Sequence, residues 1–281
     1  MHEGSSSDQP GDEELEDGLS AAHVTGDYAN ALEAHYKTFF GNPSRIVVHE
    51  IKSVGVHVDT YIFPPNEDRP FTTAATVGMG ARPIETSEIC ESCKAALDAS
   101  GAIAERHSEL LMYLHPNWDF DDPAGLYPIL MMTYVARSPH VDRHAFGWGM
   151  SYRFPEQVVP EGSLLTNGYV MKPVWENIDG DIDDFARVQL PDGEICNLYW
   201  LVPITTAECY VKRTQGPKAL REILADSDDF LFDLDRQCFV EYENRAQRRA
   251  RAKAQRTRAK RRPLTSVYEL KCMDCGQTSD G

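Results

Sequence analysis

Val58-Asp59-Thr60-Tyr61-Ile62-Phe63-Pro64-Pro65, then Asp68-Arg69-Pro70-Phe71 and Val77-Gly78-Met79-Gly80-Ala81-Arg82-Pro83, decide how this chain folds. In the first run Val56, Val58, Thr60 and Ile62 share one face, and His57, Asp59 and Tyr61 share the other. A period of two is a strand, not a helix. Phe71 to Val77 is a further strand, entered through Arg69-Pro70 and left through the Gly78-Met79-Gly80 turn. Arg45 to Ile51 precedes both across Ser53-Val54-Gly55, so three neighbouring strands are expected.

Working outward, Glu109 to Leu114, Leu164 to Met171, Phe185 to Leu190 and Ile195 to Val202 read as further strands. Pro191-Asp192-Gly193 is a turn between the last two. A helix is expected after Asp27, with Tyr28, Leu32, Tyr36 and Phe39 on one face and Gly41 and Pro43 stopping it. Lys94 to Leu97 suggests a short helix. Leu126 to Val135 suggests a buried one, with Pro128 in its first turn and Pro139 ending it. Two short helices close the body, the second opening at Gly216-Pro217 with Leu220, Ile223 and Leu224 on one face. Runs of strands with interspersed helices predict an α+β fold. Its sheet is mixed or antiparallel, with helices packed on one face and at the ends.

Charge divides the chain. The net charge is −16, yet Arg245, Arg248, Arg249, Arg251, Lys253, Arg256, Arg258, Lys260, Arg261 and Arg262 fall in a segment with no acid. Removing those ten charges leaves −26 for the rest. Four units are expected. Residues 1–26 are a disordered acidic tail; 27–240 are the folded domain, with an inserted stretch at about 84–107. Residues 241–263 are a basic helix with nothing apolar to bury, and 264–281 resemble a zinc knuckle. No apolar run approaches the roughly 20 residues that cross a bilayer. The start lacks the basic-then-apolar pattern of a signal peptide. A cytoplasmic location without membrane contact is therefore expected, with the seven cysteines as thiols or metal ligands.

Cys90/Cys93 and Cys272/Cys275 are two CxxC pairs. Together they supply the four thiolates of a structural zinc site, closed to chemistry; the alternative is two unrelated thiol pairs. His49, His57 and Asp59 lie on one sheet face and read as a polar surface rather than a metal site. His140 and His144 would suit zinc only on a helix, which Pro139 argues against. Asp181, Asp183 and Asp184 lack the spacing of a calcium loop. Gly78-Met79-Gly80 lacks the third glycine of a dinucleotide fingerprint, and GxxxxGK[ST], HExxH and GxSxG are absent. Trp148 and Trp200 read as core residues. The basic segment 244–262 fits contact with RNA or DNA, contact with the acidic body or tail, or a solvated linker.

Other runs complete an ordered set: Ser108-Glu109-Leu110-Leu111-Met112-Tyr113-Leu114-His115-Pro116-Asn117-Trp118, Ala136-Arg137-Ser138-Pro139-His140, Gly147-Trp148-Gly149 and Asn197-Leu198-Tyr199-Trp200-Leu201-Val202-Pro203-Ile204. In this order, over roughly residues 28 to 235, they resemble the suppressor of fused (SUFU) domain family. Three departures stand out. Met150 follows the Gly-aromatic-Gly turn where the family usually has His. The stretch from Glu85 to His107 is longer than usual, and the basic and knuckle segments lie outside the domain. The resemblance implies a non-catalytic, protein-binding role. Animal relatives sequester a transcription factor, and many bacterial ones are held to be immunity proteins of polymorphic toxin systems. An acidic body would suit a basic toxin. The expected contact residues are Arg82, His140 and Trp148, because loops carry recognition. The alternative is a nucleic-acid-associated regulator that uses the basic helix and the zinc knuckle.

Overall fold

The computed structural model describes residues 26–48, 55–85, 89, 91–101, 103–142, 144–173, 182–225 and 231–240. Helix α1, Gly26–Phe40, buries Tyr28, Leu32, Tyr36 and Phe40. These recur every four residues, so they form one stripe along the helix. Phe40 ends that stripe where Phe39 was expected; Phe39 is half-buried with its ring 5.2 Å from Phe185.

The strands are β1 (Arg45–Val48), β2 (Asp59–Phe63), β3 (Thr72–Val77), β4 (Ser108–Leu114), β5 (Ser151–Arg153), β6 (Asn167–Met171), β7 (Arg187–Gln189) and β8 (Ile195–Ile204). They form one eight-stranded sheet in the order β1-β2-β3-β4-β8-β6-β5, with β7 paired to β8 off that path. β4 and β8 run parallel, Ser108 opposite Asn197 and Leu111 opposite Trp200. The other strand pairs are antiparallel. This is the mixed sheet of an α+β protein.

Between the strands lie α2 (Glu91–Ser100), a 3-10 turn (Pro123–Leu126), α3 (Tyr127–Asp142) and α4 (Ile182–Ala186). Helices α5 (Thr206–Gln215) and α6 (Pro217–Ala225) follow β8. Each central strand is buried on both sides. From β4, Leu110, Met112 and Leu114 pack with Met131, Met132 and Val135 of α3 and with Cys93 and Leu97 of α2. Leu111 and Tyr113, one residue out of phase, pack with α1, Phe185, Cys209 and Leu220. Helices therefore cover both faces, where one face and the ends were expected. Burial on two sides is also why β4 reads as a nearly unbroken apolar run.

Three local expectations change. Pro139 does not end α3, which continues to Asp142; so near the terminus, a missing N–H removes a bond from the last turn only. Phe185 belongs to the single-turn α4, and the strand that follows is only Arg187–Gln189. β5 was not foreseen: it is three residues whose strand pairing, among the described residues, is with β6. The segments expected as acidic tail, basic helix and C-terminal knuckle lie outside the described residues, except that α1 already begins at Gly26.

The Asp-Arg-Pro-Phe run has a packing role. Arg69 is fully buried, its guanidinium 5.2 Å from the Phe40 ring centre and 5.7 Å from that of Phe71. It donates to the Phe71 carbonyl at 2.6 Å and to Thr73 Oγ1 at 2.9 Å. Burial among these neutral acceptors lowers its pKa to about 10.

Candidate protein-binding site

The turn after β3 is held from below and from the side. Glu109, the second residue of β4, is fully buried. Its Oε1 accepts from the backbone N–H of Gly78 at 2.7 Å, from that of Gly80 at 3.1 Å and from Tyr28 Oη at 2.8 Å. Its Oε2 accepts from Thr76 Oγ1 at 2.5 Å. Burial pushes this carboxyl up from its ordinary value, while the four donors pull it back. Two histidines hold the same turn by its carbonyls. His140 Nε2 donates to Met79 O at 2.8 Å, and His107 Nδ1 donates to Gly80 O at 2.7 Å.

Glycine is required at two points of the turn. Gly78 has φ 124°, outside the range of L side chains. A Cβ on Gly80 would lie 2.4 Å from Tyr28 Oη and 2.8 Å from Ser108 N. Met79 between them is buried in the core. The outcome is a fixed backbone with Arg82 exposed at its edge. Burial, with the nearby charge of Arg82 adding to it, holds His140 below its ordinary pKa. The ring is thus neutral near pH 7, with the proton on Nε2 and an acceptor at Nδ1. Val141, 43% exposed, and Gly55 adjoin His140; a Cβ on Gly55 would sit 3.4 Å from His140 Cβ. The exposed Arg82 and the apolar Val141 thus flank a half-buried His140.

Of the three expected contact residues, Arg82 and His140 come together. Trp148 is half-buried against the α3-side core. Its turn is covered by the inserted stretch: a Cβ on Gly147 would meet Ile103 O at 2.6 Å. Met150, where the family usually has His, is fully buried. His57 Nε2 and Asp59 Oδ1 pair with each other at 2.7 Å, as a polar face would. His144 follows the end of α3, so it does not share a helix with His140. Cys93 lies in the apolar core. Cys90, Cys272, Cys275, His49, Asp181 and the ten cations from Arg245 to Arg262 lie outside the described residues. Among the described residues no group of three His, Cys, Asp or Glu is placed to hold a metal, and no helix is long and apolar enough to cross a membrane.

Two features escaped the sequence reading. One is Glu109, although a legible signal existed: it lies in phase with Leu111 and Tyr113, so a carboxylate was due to face the core. The other is the strap 231–240. Arg236 donates from both terminal nitrogens to Glu208 at 2.8 Å, and Phe232 N donates to Tyr113 O at 2.7 Å. The cleft beside the strap, bounded by Trp200, Leu224, Leu231 and Phe239, holds about 40 Å³. That is room for waters, not for a metabolite.

A family model described as suppressor of fused protein (SUFU) matches residues 55–237. A crystal structure described as a SUFU homolog from Neisseria gonorrhoeae superposes with a TM-score of 0.50 at 16% identity, covering 77% of this chain and 99% of that one. The Sufu–Fu complex crystal structure superposes at 0.52 with 14% identity, covering 75% and 91%. At such identities the likeness is one of fold. No curated protein matches the sequence.

Proposed function

Because this chain belongs to the suppressor of fused family, we propose that it is a non-catalytic module that binds and sequesters a protein partner in the cytoplasm. The specific form we propose is an immunity protein that neutralises a bacterial toxin. One observation carries the reading: the Gly78–Arg82 turn is fixed at four backbone atoms before any partner arrives. A preorganised turn loses little entropy on binding, and arginine is enriched among the residues that dominate interfaces. One structural relative is a complex of Sufu with Fu, which fits a binding role for the fold. The buried Glu109 and Glu208 and the half-buried Glu105 are committed internally. Glu105 accepts from Tyr199 and Asn197, Glu208 from Arg236, and Glu109 from the turn.

The test is a pull-down of the tagged full-length chain from its native lysate, with and without nuclease, repeated with Arg82→Glu. A single protein partner that survives nuclease and is lost with Arg82→Glu supports the reading. A partner retained undiminished by Arg82→Glu removes the site. A second reading follows from the ten cations within residues 244–262: contact with nucleic acid. It requires binding that weakens steeply with salt and disappears on truncation at Tyr242. We also propose a structural zinc held by Cys90, Cys93, Cys272 and Cys275, tying the C-terminal segment to α2. Cys93, buried among apolar groups, suits a thiolate only when a metal neutralises its charge.

A further inference from the structure

In a chain of net charge −16, the solvent side of α5 and α6 is basic. Arg213, Lys218 and Arg221 are exposed there, with Tyr210 62% exposed beside them. Lys218 makes one loose pair with Glu222, at 3.9 Å with both side chains largely exposed. Arg213 and Arg221 make no ion pair among the described residues. An aromatic ring among arginines that pair with no acid of the described residues is the composition of an interface, not of an ordinary solvated helix.

The occupant that fits is within the chain. Between Glu3 and Asp17 there are seven carboxylates, and no lysine or arginine precedes Gly26. That segment leads directly into α1, which lies on the same sheet face as α5 and α6: Tyr28 and Leu32 share a core cluster with Cys209 and Leu220. The nine residues from Asp17 to Gly26 reach about 30 Å when extended, enough to cross that face. Each exposed charge contact is weak. Tethering raises the local concentration of the acids to the millimolar range, so several weak contacts suffice.

We propose that the acidic N-terminal segment docks on the solvent face of α5 and α6, between Tyr210 and Arg221. This is a surface distinct from the Arg82 turn. An acidic partner reaches the α5–α6 face only by displacing the segment.

The experiment is zero-length carbodiimide cross-linking of the full-length chain at low salt, with peptide mapping. The expected product joins Lys218 to a carboxylate between Asp8 and Asp17. Its yield falls roughly fivefold or more in the Arg213→Glu/Arg221→Glu variant, the effect of losing two screened contacts. The wild-type chain in 0.5 M salt shows the same fall without any substitution, because screening then acts within ~4 Å. Links from the N-terminal carboxylates to Lys253 or Lys260 instead of Lys218 would overturn the proposal and assign the segment to the basic run. So would a Lys218 link that persists in high salt, or one that joins labelled to unlabelled chains in a mixture.

Discussion

Replacing Glu109 separates two roles of a single side chain. In Glu109→Leu the N–H groups of Gly78 and Gly80 lose their acceptor inside the core. Tyr28 Oη can turn to Cys196 Sγ at 3.3 Å, and Thr76 Oγ1 can turn to Leu110 O at 3.5 Å. The two amides cannot turn. Each stranded buried donor costs ~1–3 kcal/mol, offset in part because a buried carboxylate is also removed, so a net loss of about 3 kcal/mol is expected. For a domain of this size that lowers the Tm by ~6–12 °C. Glu109→Gln keeps one carbonyl for the amides and loses about 1 kcal/mol. The pH dependence is a second check. Burial raises the folded-state pKa of Glu109, so its proton stabilises the fold fully below the unfolded value, ~4.3. That contribution is lost as pH rises through the folded value. Glu109→Gln lacks this loss, so its deficit against wild type shrinks between pH 4 and pH 8. Urea titrations of the three proteins at pH 4, 6 and 8 measure both effects. Equal losses for Leu and Gln, or a Gln deficit that widens with pH, would refute the assigned role.

Gly80→Ala should be one of the most damaging small substitutions, losing ~2–4 kcal/mol, because the new methyl meets the Ser108 backbone as well as Tyr28 Oη; Tyr28→Phe, which removes only the hydroxyl, should not rescue it in thermal melts. Arg236→Ala should destabilise by ~3–5 kcal/mol, since it leaves Glu208, itself 0% exposed, as an unpaired buried charge. Burial alone would raise Glu208, but Arg236 and two backbone N–H groups outweigh it and hold the carboxyl below its ordinary value. The strap's contribution is therefore present above the unfolded pKa of ~4.3 and fades as pH falls through the folded value. Proteolysis at the strap against pH reads this out, and a flat profile would count against it. Metal analysis of the purified chain should find one zinc, removed by Cys272→Ser/Cys275→Ser; an unchanged metal content in that variant refutes the shared site.

The contrast between legible and hidden features follows from how each is encoded. The strands around Val58–Phe63 and Ile195–Val202 were readable because each is a short run rich in β-branched, aromatic and leucine side chains bounded by turn residues, and such a run survives small errors of boundary. Whether helices cover one face or two is a different matter. It depends on Leu110 and Leu111 meeting different partners across the sheet, which no local pattern records. The ends of elements were misplaced where one residue pulled against its neighbours. Pro139 forbids one hydrogen bond, yet Ala136, Ser138 and Pro139 itself are buried, so packing carries the helix past it. Arg82 and His140 were chosen as loop residues; His140 lies instead in the last turn of α3, and its ring still reaches the turn that carries Arg82. Trp148 was chosen on the same ground; it packs half-buried against the core, with the inserted stretch against its turn. The props of the site, Glu109 and His107, lie beside or within a strand and were passed over as framework. Holding this turn takes a framework residue of the wrong polarity. A carboxylate facing the core would be eliminated by its desolvation unless something needed its lone pairs, and in this fold that something is the backbone of the turn that displays Arg82. A charged residue in phase with a buried stripe therefore points to the neighbouring loop that it organises, and that loop is the part of the surface to test first.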